Sequence, residues 1–373
     1  MKVLFILTYY SPHWTGLTRY AIQLAEGLTP SHDITVVTTK HNASLLREEN
    51  ICGVRVIRSP VIGRLSRSQF SLVLFWDIIM QLVRTDRVIV FLPFVEVMFV
   101  AFFAKLFGKK FFLVHNGDLV LPKGYINRII ERCYWFMTDA ALTLCHRVIL
   151  YTEDYARHSS LLLRHKTKWA VVLPPFTVAP TARRQCQPAA RSMRSGVRFV
   201  VGFAGRFVEE KGFDVLLAAI PLVRKKVSDV RFVFAGETHM GYESFFERHE
   251  MSVKQEDIML MGRIDWRDMG CFYGALDVFV VSSRSDCFPS TQIEAMLSGV
   301  PVVVTDIPGA RVPVERIGMG VIVPSENAEA LAKGIIKVLL HRNRYARKHK
   351  KAVALFSEKR SIAEIQKIVG DAA

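Results

Sequence analysis

The sequence predicts an α/β chain of two parallel-sheet domains, each doubly wound with helices on both faces. Three observations predict it. Short apolar runs of strand length alternate with longer segments of helical spacing through both halves, and such alternation builds a parallel sheet. The alternation breaks once, between Pro174-Pro175 and Gly196, in a proline- and arginine-rich stretch without periodicity. A chain of 373 residues is long for one domain, and with half its residues apolar it can fill two cores.

In the first half, Val3 to Leu7 is a buried strand and Tyr9 to Gly16 a loop containing Pro12. Leu17 to Leu28 has helical spacing through Leu17, Ile22, Leu24 and Leu28. Ile34 to Thr38 and Val54 to Ile57 are strands, Phe70 to Val83 a helix and Val88 to Leu92 a strand. Phe94 to Phe107 is an apolar helix whose end carries Lys105, Lys109 and Lys110. Phe111 to His115 is a strand and Ile126 to Leu142 a long amphipathic helix. Arg147 to Tyr151 and Trp169 to Leu173 close the half as strands.

The stretch 176–197 then reads as a linker between a domain at 1–175 and one at 198–355. In the second half, Arg198 to Ala204, Val230 to Ala235, Ile258 to Leu260, Val278 to Val281, Val300 to Val304 and Val321 to Val323 are strands. Helices are expected over Phe213 to Val223, Trp266 to Ala275, from about Pro289 or Ser290 to Gly299, and over Ala328 to Leu340. His341 to Lys351 is a dense basic run, and an amphipathic helix over Ser361 to Val369 ends the chain.

The net charge of +16 fits an anionic partner: a nucleotide diphosphate, a nucleic acid or an acidic membrane surface. A generally basic, solvated surface accounts for it equally. Nucleic acid is disfavoured, because basic and aromatic residues are not interleaved on one evident surface. The six cysteines, Cys52, Cys133, Cys145, Cys186, Cys271 and Cys287, show no metal spacing and read as reduced, mostly buried thiols of a cytoplasmic protein. Val3 to Leu7 is too short for a signal-peptide core. The apolar region Val88 to Phe103 is interrupted by Pro93 and Glu96, so it falls short of the ~20 clean apolar residues of a spanning helix. With the lysines after it, it suits a peripheral membrane-facing surface instead.

The densest chemistry lies between Ser283 and Gly309. Asp286 and Glu294 are eight residues apart, one in a loop and one early in the following helix. Between them, the first-turn amides of Ser290 and Thr291, their hydroxyls and the helix dipole form a site for an anion such as a phosphate. A carboxylate accepts paired charge-assisted hydrogen bonds from sugar hydroxyls. The alternative is a plain βα unit in which Asp286 caps the helix and Glu294 is solvated. Upstream, Gly205-Arg206 through Lys211-Gly212 follows a strand and precedes a helix, with two cations suited to a diphosphate. His115 closes a strand beside Asn116, Gly117 and Asp118, a place from which it can contact a sugar or manage a proton.

The run D-C-F-P-S-T-Q-I-E-A-M-L-S-G-V-P-V-V, Asp286 to Val303, resembles the E-x7-E segment of glycosyltransferase family 4. Asp286 replaces the first Glu, and Pro289 stands where Gly is usual. Gly205-Arg206 and Lys211-Gly212 resemble the family's G-R-x4-K-G element, in which the Arg and Lys hold the donor diphosphate. Tyr9 to Arg19 resembles the first βα loop, with Thr15 for the first of its two glycines and Gly16 for the second. Gly236-Glu237 and Gly262-Arg263 resemble the base- and ribose-binding loops. Asp306 to Gly309 is similar to a Gly-Gly-x-Pro-Glu loop, but Ala310-Arg311 stands in place of the Glu. Phe356-Ser357 matches a common family ending.

The resemblance implies a GT-B fold: two Rossmann-like domains facing a cleft, with the final segment, 356–373, crossing back to the first domain. It implies a retaining transfer of a sugar from a nucleotide-diphosphate donor to an acceptor hydroxyl. His115, Asp286, Arg206 and Lys211 would be the catalytic residues. Gly16, Gly205, Arg206, Lys211, Gly236, Arg263, Ser290, Thr291 and Glu294 would bind the donor, and Asp118 is a secondary candidate. There is no Asp-x-Asp pair to hold a divalent ion, so no metal and no cofactor are expected. The expected acceptor is a saccharide or lipid-linked saccharide of cell-surface polysaccharide or lipopolysaccharide assembly, met at an anionic cytoplasmic membrane face. Two alternatives stay open: a GT-B-like module that binds anionic membrane or nucleic acid without turnover, and a sugar-nucleotide epimerase or phosphorylase on the same frame.

Overall fold

The computed structural model describes residues 1–65, 68–121, 124–178, 183–238, 245–250 and 258–370. The chain divides into two compact units, one of Met1–Pro175 with Glu358–Ala373, the other of Phe176–Ser357.

The first unit opens with β1 (Lys2–Ile6), α1 (Gly16–Leu28), β2 (Asp33–Thr39), β3 (Glu48–Ile51), β4 (Val54–Ser59), β5 (Gly63–Leu65) and β6 (Ser68–Phe70). It continues with α2 (Leu72–Arg84), β7 (Arg87–Leu92), α3 (Val97–Leu106), β8 (Lys110–His115), α4 (Tyr125–Leu144), β9 (Arg147–Leu150), α5 (Glu153–His158), α6 (Ser160–Leu163) and β10 (Trp169–Val171). Eight strands form one sheet in the order β10-β9-β8-β7-β1-β2-β4-β3, parallel except for β3. The central strands are near-continuous apolar runs because both faces are covered. On one face α2, α3 and α4 pack Ile78, Leu82, Val100, Ala104 and Leu142 against Leu4, Val90 and Leu113. The right-handed crossover rule places α1 on the other face. Thr15 starts α1 with a capping box shared with Thr18, and Ser71 caps α2.

Several elements differ from the sequence expectation. β3 is an added edge strand whose sequence, E-E-N-I, lacks an apolar run because an edge strand is only half covered. It is fixed by Arg58, fully buried, which pairs with Glu49 and donates to the Ser11 carbonyl (2.7 Å). α3 starts at Val97, three residues after Phe94. β5 and β6 form a separate two-stranded hairpin.

The second unit contains α7 (Arg183–Arg194), β11 (Phe199–Ala204), α8 (Phe213–Arg224), β12 (Val230–Ala235), α9 (Phe245–Glu250), β13 (Ile258–Leu260), α10 (Met269–Gly274) and β14 (Val278–Val281). α11 (Ser290–Leu297), β15 (Val302–Thr305), α12 (Val312–Ile317), β16 (Gly320–Val323), α13 (Ala328–Leu340), α14 (Arg342–Ala346) and α15 (His349–Leu355) follow. Its sheet is wholly parallel, in the order β13-β12-β11-β14-β15-β16. The order reverses between β11 and β14, the Rossmann arrangement, and ligands of such sheets bind outside the carboxyl ends at that reversal.

The stretch read as a linker is not structureless. α7 occupies Arg183–Arg194 despite Pro188, held by a Cys186–Cys271 disulfide to α10 and by Arg194 on Asp277 (3.0 Å). Pro180 and its neighbours at 179–182 lie outside the described residues. Tertiary attachment outweighs the local signals that predicted a linker. The disulfide also corrects the expectation of six reduced thiols. Of the others, Cys145 is buried, but Cys52 sits exposed at a turn and Cys133 on the outer side of α4. The basic run 341–351 folds as α14 and α15, anchored by buried Tyr345 and Ala352. The last helix, α16 (Glu358–Gly370), returns to the first unit, where Ile362 packs against Gly27 of α1. Among the described residues no helix is long and apolar enough to cross a membrane.

Candidate functional site

In the second unit the loops that follow β11, β12 and β13 lie side by side. The Gly205 amide donates to the Ala235 carbonyl (3.0 Å) and the Gly236 amide to the Gly262 carbonyl (2.8 Å). Gly236 has φ 143°, and a Cβ there would strike the Gly205 carbonyl oxygen. Arg263, next to Gly262, is exposed. Across the sheet reversal, the loop after β11 is tied to the loop after β14. The Arg284 amide donates to the Glu210 carbonyl (2.8 Å) and the Ser282 hydroxyl to the Lys211 carbonyl (3.1 Å). Gly212 has φ 60°, and the Ser282 carbonyl oxygen occupies the space a Cβ there would need, so the position suits glycine on both counts.

These ties gather the charged side chains at the reversal. The Arg206 guanidinium donates to Glu210 Oε1 (2.5 Å), one helical turn on in sequence. Lys211 Nζ pairs with Asp286 Oδ2, and Asp286 Oδ1 accepts from the Phe288 amide (3.3 Å). Burial pulls the Lys211 ammonium down, but the Asp286 and Glu210 carboxylates outweigh it and the net shift is upward. A second ion pair braces the same loops: Arg284 forks onto Asp214 (2.8 and 2.7 Å) and reaches Glu326 (3.0 Å). Burial works against the Asp214 carboxylate, yet Arg284 holds it below the usual carboxylate range.

α11 starts at Ser290, with Pro289 as the preceding cap residue rather than inside the first turn. Among the described residues no side chain caps this terminus, and Ser290 and Thr291 are half-buried there. Glu294 is buried rather than solvated. It is 4% exposed and accepts a hydrogen bond from the Tyr273 hydroxyl (2.8 Å). Gln292, on the same helix, is fully buried, and neither of its amide atoms has a hydrogen-bond partner among the described residues. Asp306 of the next loop pairs with Arg311 (2.9 Å), the residue that stands near the missing Glu.

In the first unit His115 ends β8 and is buried. Its Nδ1 accepts from the Gly117 amide (3.3 Å) and its Nε2 lies 3.2 Å from Asp118 Oδ1. In a neutral ring this pattern puts the proton on Nε2, facing Asp118. Burial raises the Asp118 carboxyl, but hydrogen bonds from His115, Tyr155 and Ser159 bring it below its ordinary value. Gly16 is the exposed first residue of α1, following the loop after β1, and β1 adjoins β7 where the order of this sheet reverses.

Residues 198–341 match the family described as glycosyl transferases group 1. The capsular polysaccharide biosynthesis glycosyltransferase CapM of Staphylococcus aureus is 26% identical over 141 residues, 38% of this chain and 37% of its own. A GDP-mannose-dependent alpha-(1-6)-phosphatidylinositol monomannoside mannosyltransferase of Mycobacterium tuberculosis is 24% identical over 56% of this chain and 58% of its own. The alignments thus span between about a third and three-fifths of those relatives. Anabaena Alr3699/HepE, solved with UDP and glucose, superposes with a TM-score of 0.80 at 17% identity, covering 100% of both chains. That likeness shows the fold, two Rossmann-like parallel-sheet units of the kind found in GT-B glycosyltransferases.

Within the second unit the structure brings together Gly205, Arg206, Lys211, Gly236 and Asp286, residues that the sequence placed on three separate loops. His115 and Gly16 belong to the other unit. Sequence reading missed five partners. Glu210 stands four residues after Arg206, but in a loop that spacing does not by itself signal an ion pair. Tyr273, Asp214 and the Tyr155–Ser159 pair reach their partners only through the fold.

Proposed function

We propose that this chain is a retaining, metal-independent glycosyltransferase that moves a hexose from a nucleotide-diphosphate sugar to a hydroxyl of a saccharide or lipid-linked saccharide. The observation that carries the reading is the pair of cations, Arg206 and Lys211, gathered with Asp286 at the sheet reversal of the second unit, whose residues 198–341 match the group 1 family. A donor diphosphate there competes with Glu210 and Asp286 for those cations. As the bond from the anomeric carbon to the diphosphate oxygen breaks, the electron pair leaves with the diphosphate, and Arg206 and Lys211 stabilise the growing charge. The acceptor hydroxyl attacks the same face of the sugar, which retains configuration, and its proton passes to the departing diphosphate. The first-turn amides of α11 add favourable dipole to the phosphates. The loops bearing Gly236 and Arg263 border the base and ribose, and Gly16 approaches the phosphates. Glu294 holds donor hydroxyls with Tyr273 behind it. His115, set by Asp118, contacts the transferred sugar.

The names of the relatives support the substrate class: one acts in capsular polysaccharide biosynthesis and another uses GDP-mannose on a phosphatidylinositol mannoside. HepE binds UDP and glucose. These names support an acceptor of cell-surface polysaccharide or glycolipid assembly, and we propose that it is met at the cytoplasmic face of a membrane.

The test is transfer of labelled sugar from UDP- and GDP-sugars into lipid-linked saccharides, with the product anomer read by NMR. Retention of configuration, persistence in EDTA and a loss of about 10²–10³-fold in kcat for Arg206→Ala are expected. An inverted product, or full activity in Arg206→Ala, would contradict the mechanism.

A further inference from the structure

The outer surface of the helical layer on the first unit has the wrong character for contact with water alone. A surface helix ordinarily turns polar residues outward. α2 instead presents Leu72, Val73, Trp76 and Val83, with Trp76 64% exposed. Its neighbour α3 presents Met98, Phe102 and Leu106, with Phe102 57% exposed. α4, packed on α3, adds Ile126, Ile129 and Phe136, the last 66% exposed. The inner stripes of the same helices are also apolar and fill the core, so α2 and α3 are apolar nearly all round. Phe75 of α2 and Phe99 of α3 lie edge to face at 4.7 Å, which makes their outer stripes adjacent.

The charges on this layer have one sign where they are exposed. Arg84 ends α2, Lys105 lies in the last turn of α3, and Arg128 and Arg132 stand on α4, all exposed. The carboxylates are drawn elsewhere. Asp77 is buried and forked by Arg47 (2.6 and 2.8 Å), Glu131 accepts from the Leu121 amide (2.6 Å), and Asp139 binds His165 (2.8 Å). A contiguous apolar surface with interspersed cations and, among the described residues of α2, α3 and α4, no exposed carboxylate complements an anionic lipid surface. A second copy of the chain would set these cations against their own kind.

We infer that the α2–α3–α4 face of the first unit docks on an anionic lipid bilayer, Trp76 and Phe102 entering the interface and Arg84 and Lys105 engaging lipid phosphates. Docking extends the reading of a membrane-held acceptor, but it stands on this geometry and needs neither donor nor turnover.

The test is cosedimentation of the full chain with phosphatidylglycerol-containing vesicles and with pure phosphatidylcholine vesicles. The wild type is expected to bind the anionic vesicles and to release at high salt. Trp76→Ser/Phe102→Ser should weaken binding roughly 100-fold. The conservative Arg84→Gln/Lys105→Gln should weaken it about 25-fold. Calorimetric binding of nucleotide sugars should be unchanged in both variants, which separates failure of docking from failure of the transferase reading. Wild type left in the supernatant, equal binding to both vesicle types, or variants that sediment like wild type would overturn the inference. So would a concentration-dependent dimer in ultracentrifugation that Trp76→Ser/Phe102→Ser disperses.

Discussion

Arg206 and Lys211 each meet a carboxylate, and that pairing sets their chemistry. Glu210 competes with a diphosphate for Arg206, and the pair is half exposed, worth at most ~1 kcal/mol. Glu210→Gln is therefore expected to tighten nucleoside diphosphate binding by up to about fivefold in a calorimetric titration; weaker binding would mean that Glu210 positions the arginine instead. Lys211 is raised, so its contribution to folding is fully present below the unfolded lysine pKa and is lost only as pH rises through the higher folded value. Donor affinity should accordingly hold constant to the upper edge of the ordinary lysine range. Asp214 is depressed, so the sign is opposite. Its stabilisation is present above the ordinary carboxylate pKa and is lost as pH falls through the lower folded value. Asp214→Asn should flatten part of the acid limb of urea midpoints against pH; an unaltered limb would place the acid sensitivity elsewhere. The two cations were legible in the sequence because the motif fixes their spacing. The Lys211–Asp286 pair spans 75 residues, and nothing local indicates that the loops of β11 and β14 meet.

At the level of elements, the loops of the second unit hold their shape through backbone contacts that only glycine permits. Gly212→Ala forces a side chain into left-handed backbone against the Ser282 carbonyl, and Gly236→Ala strikes the Gly205 carbonyl. Each should cost about 2 kcal/mol or more in urea unfolding; a change under ~0.5 kcal/mol would show that the loops yield freely. The buried strands were legible because parallel strands covered on both faces are continuous apolar runs. β3 was not, since a polar edge strand carries no such run. α7 was hidden because Pro188 and four arginines read as linker, while the contacts that hold the helix come from α10 and Asp277. α12 carried usable signals, Pro313 in its first turn and Gly318 in left-handed conformation at its end, but six residues give too little periodicity.

At the scale of the molecule, the first unit is completed by the far end of the chain. Ile365 and Val369 of α16 are buried, Ile362 sits against Gly27, and Arg87 donates to the Val369 carbonyl (3.2 Å). Ending the chain at Ser357 should lower the melting of the first unit and leave that of the second, as two calorimetric transitions; a uniform loss would contradict the division. Alternation predicted the two sheets, whereas the return of α16 was legible only through resemblance, because an amphipathic helix does not name the surface it covers. The central claim is that Arg206 and Lys211 bind the diphosphate of a nucleotide sugar, and calorimetry of UDP-, GDP- and ADP-sugars on wild type and Arg206→Ala tests it most directly. Binding of one nucleotide series that weakens about 100-fold in Arg206→Ala is the predicted result. Absence of binding by every series, or equal affinity in the variant, would contradict it.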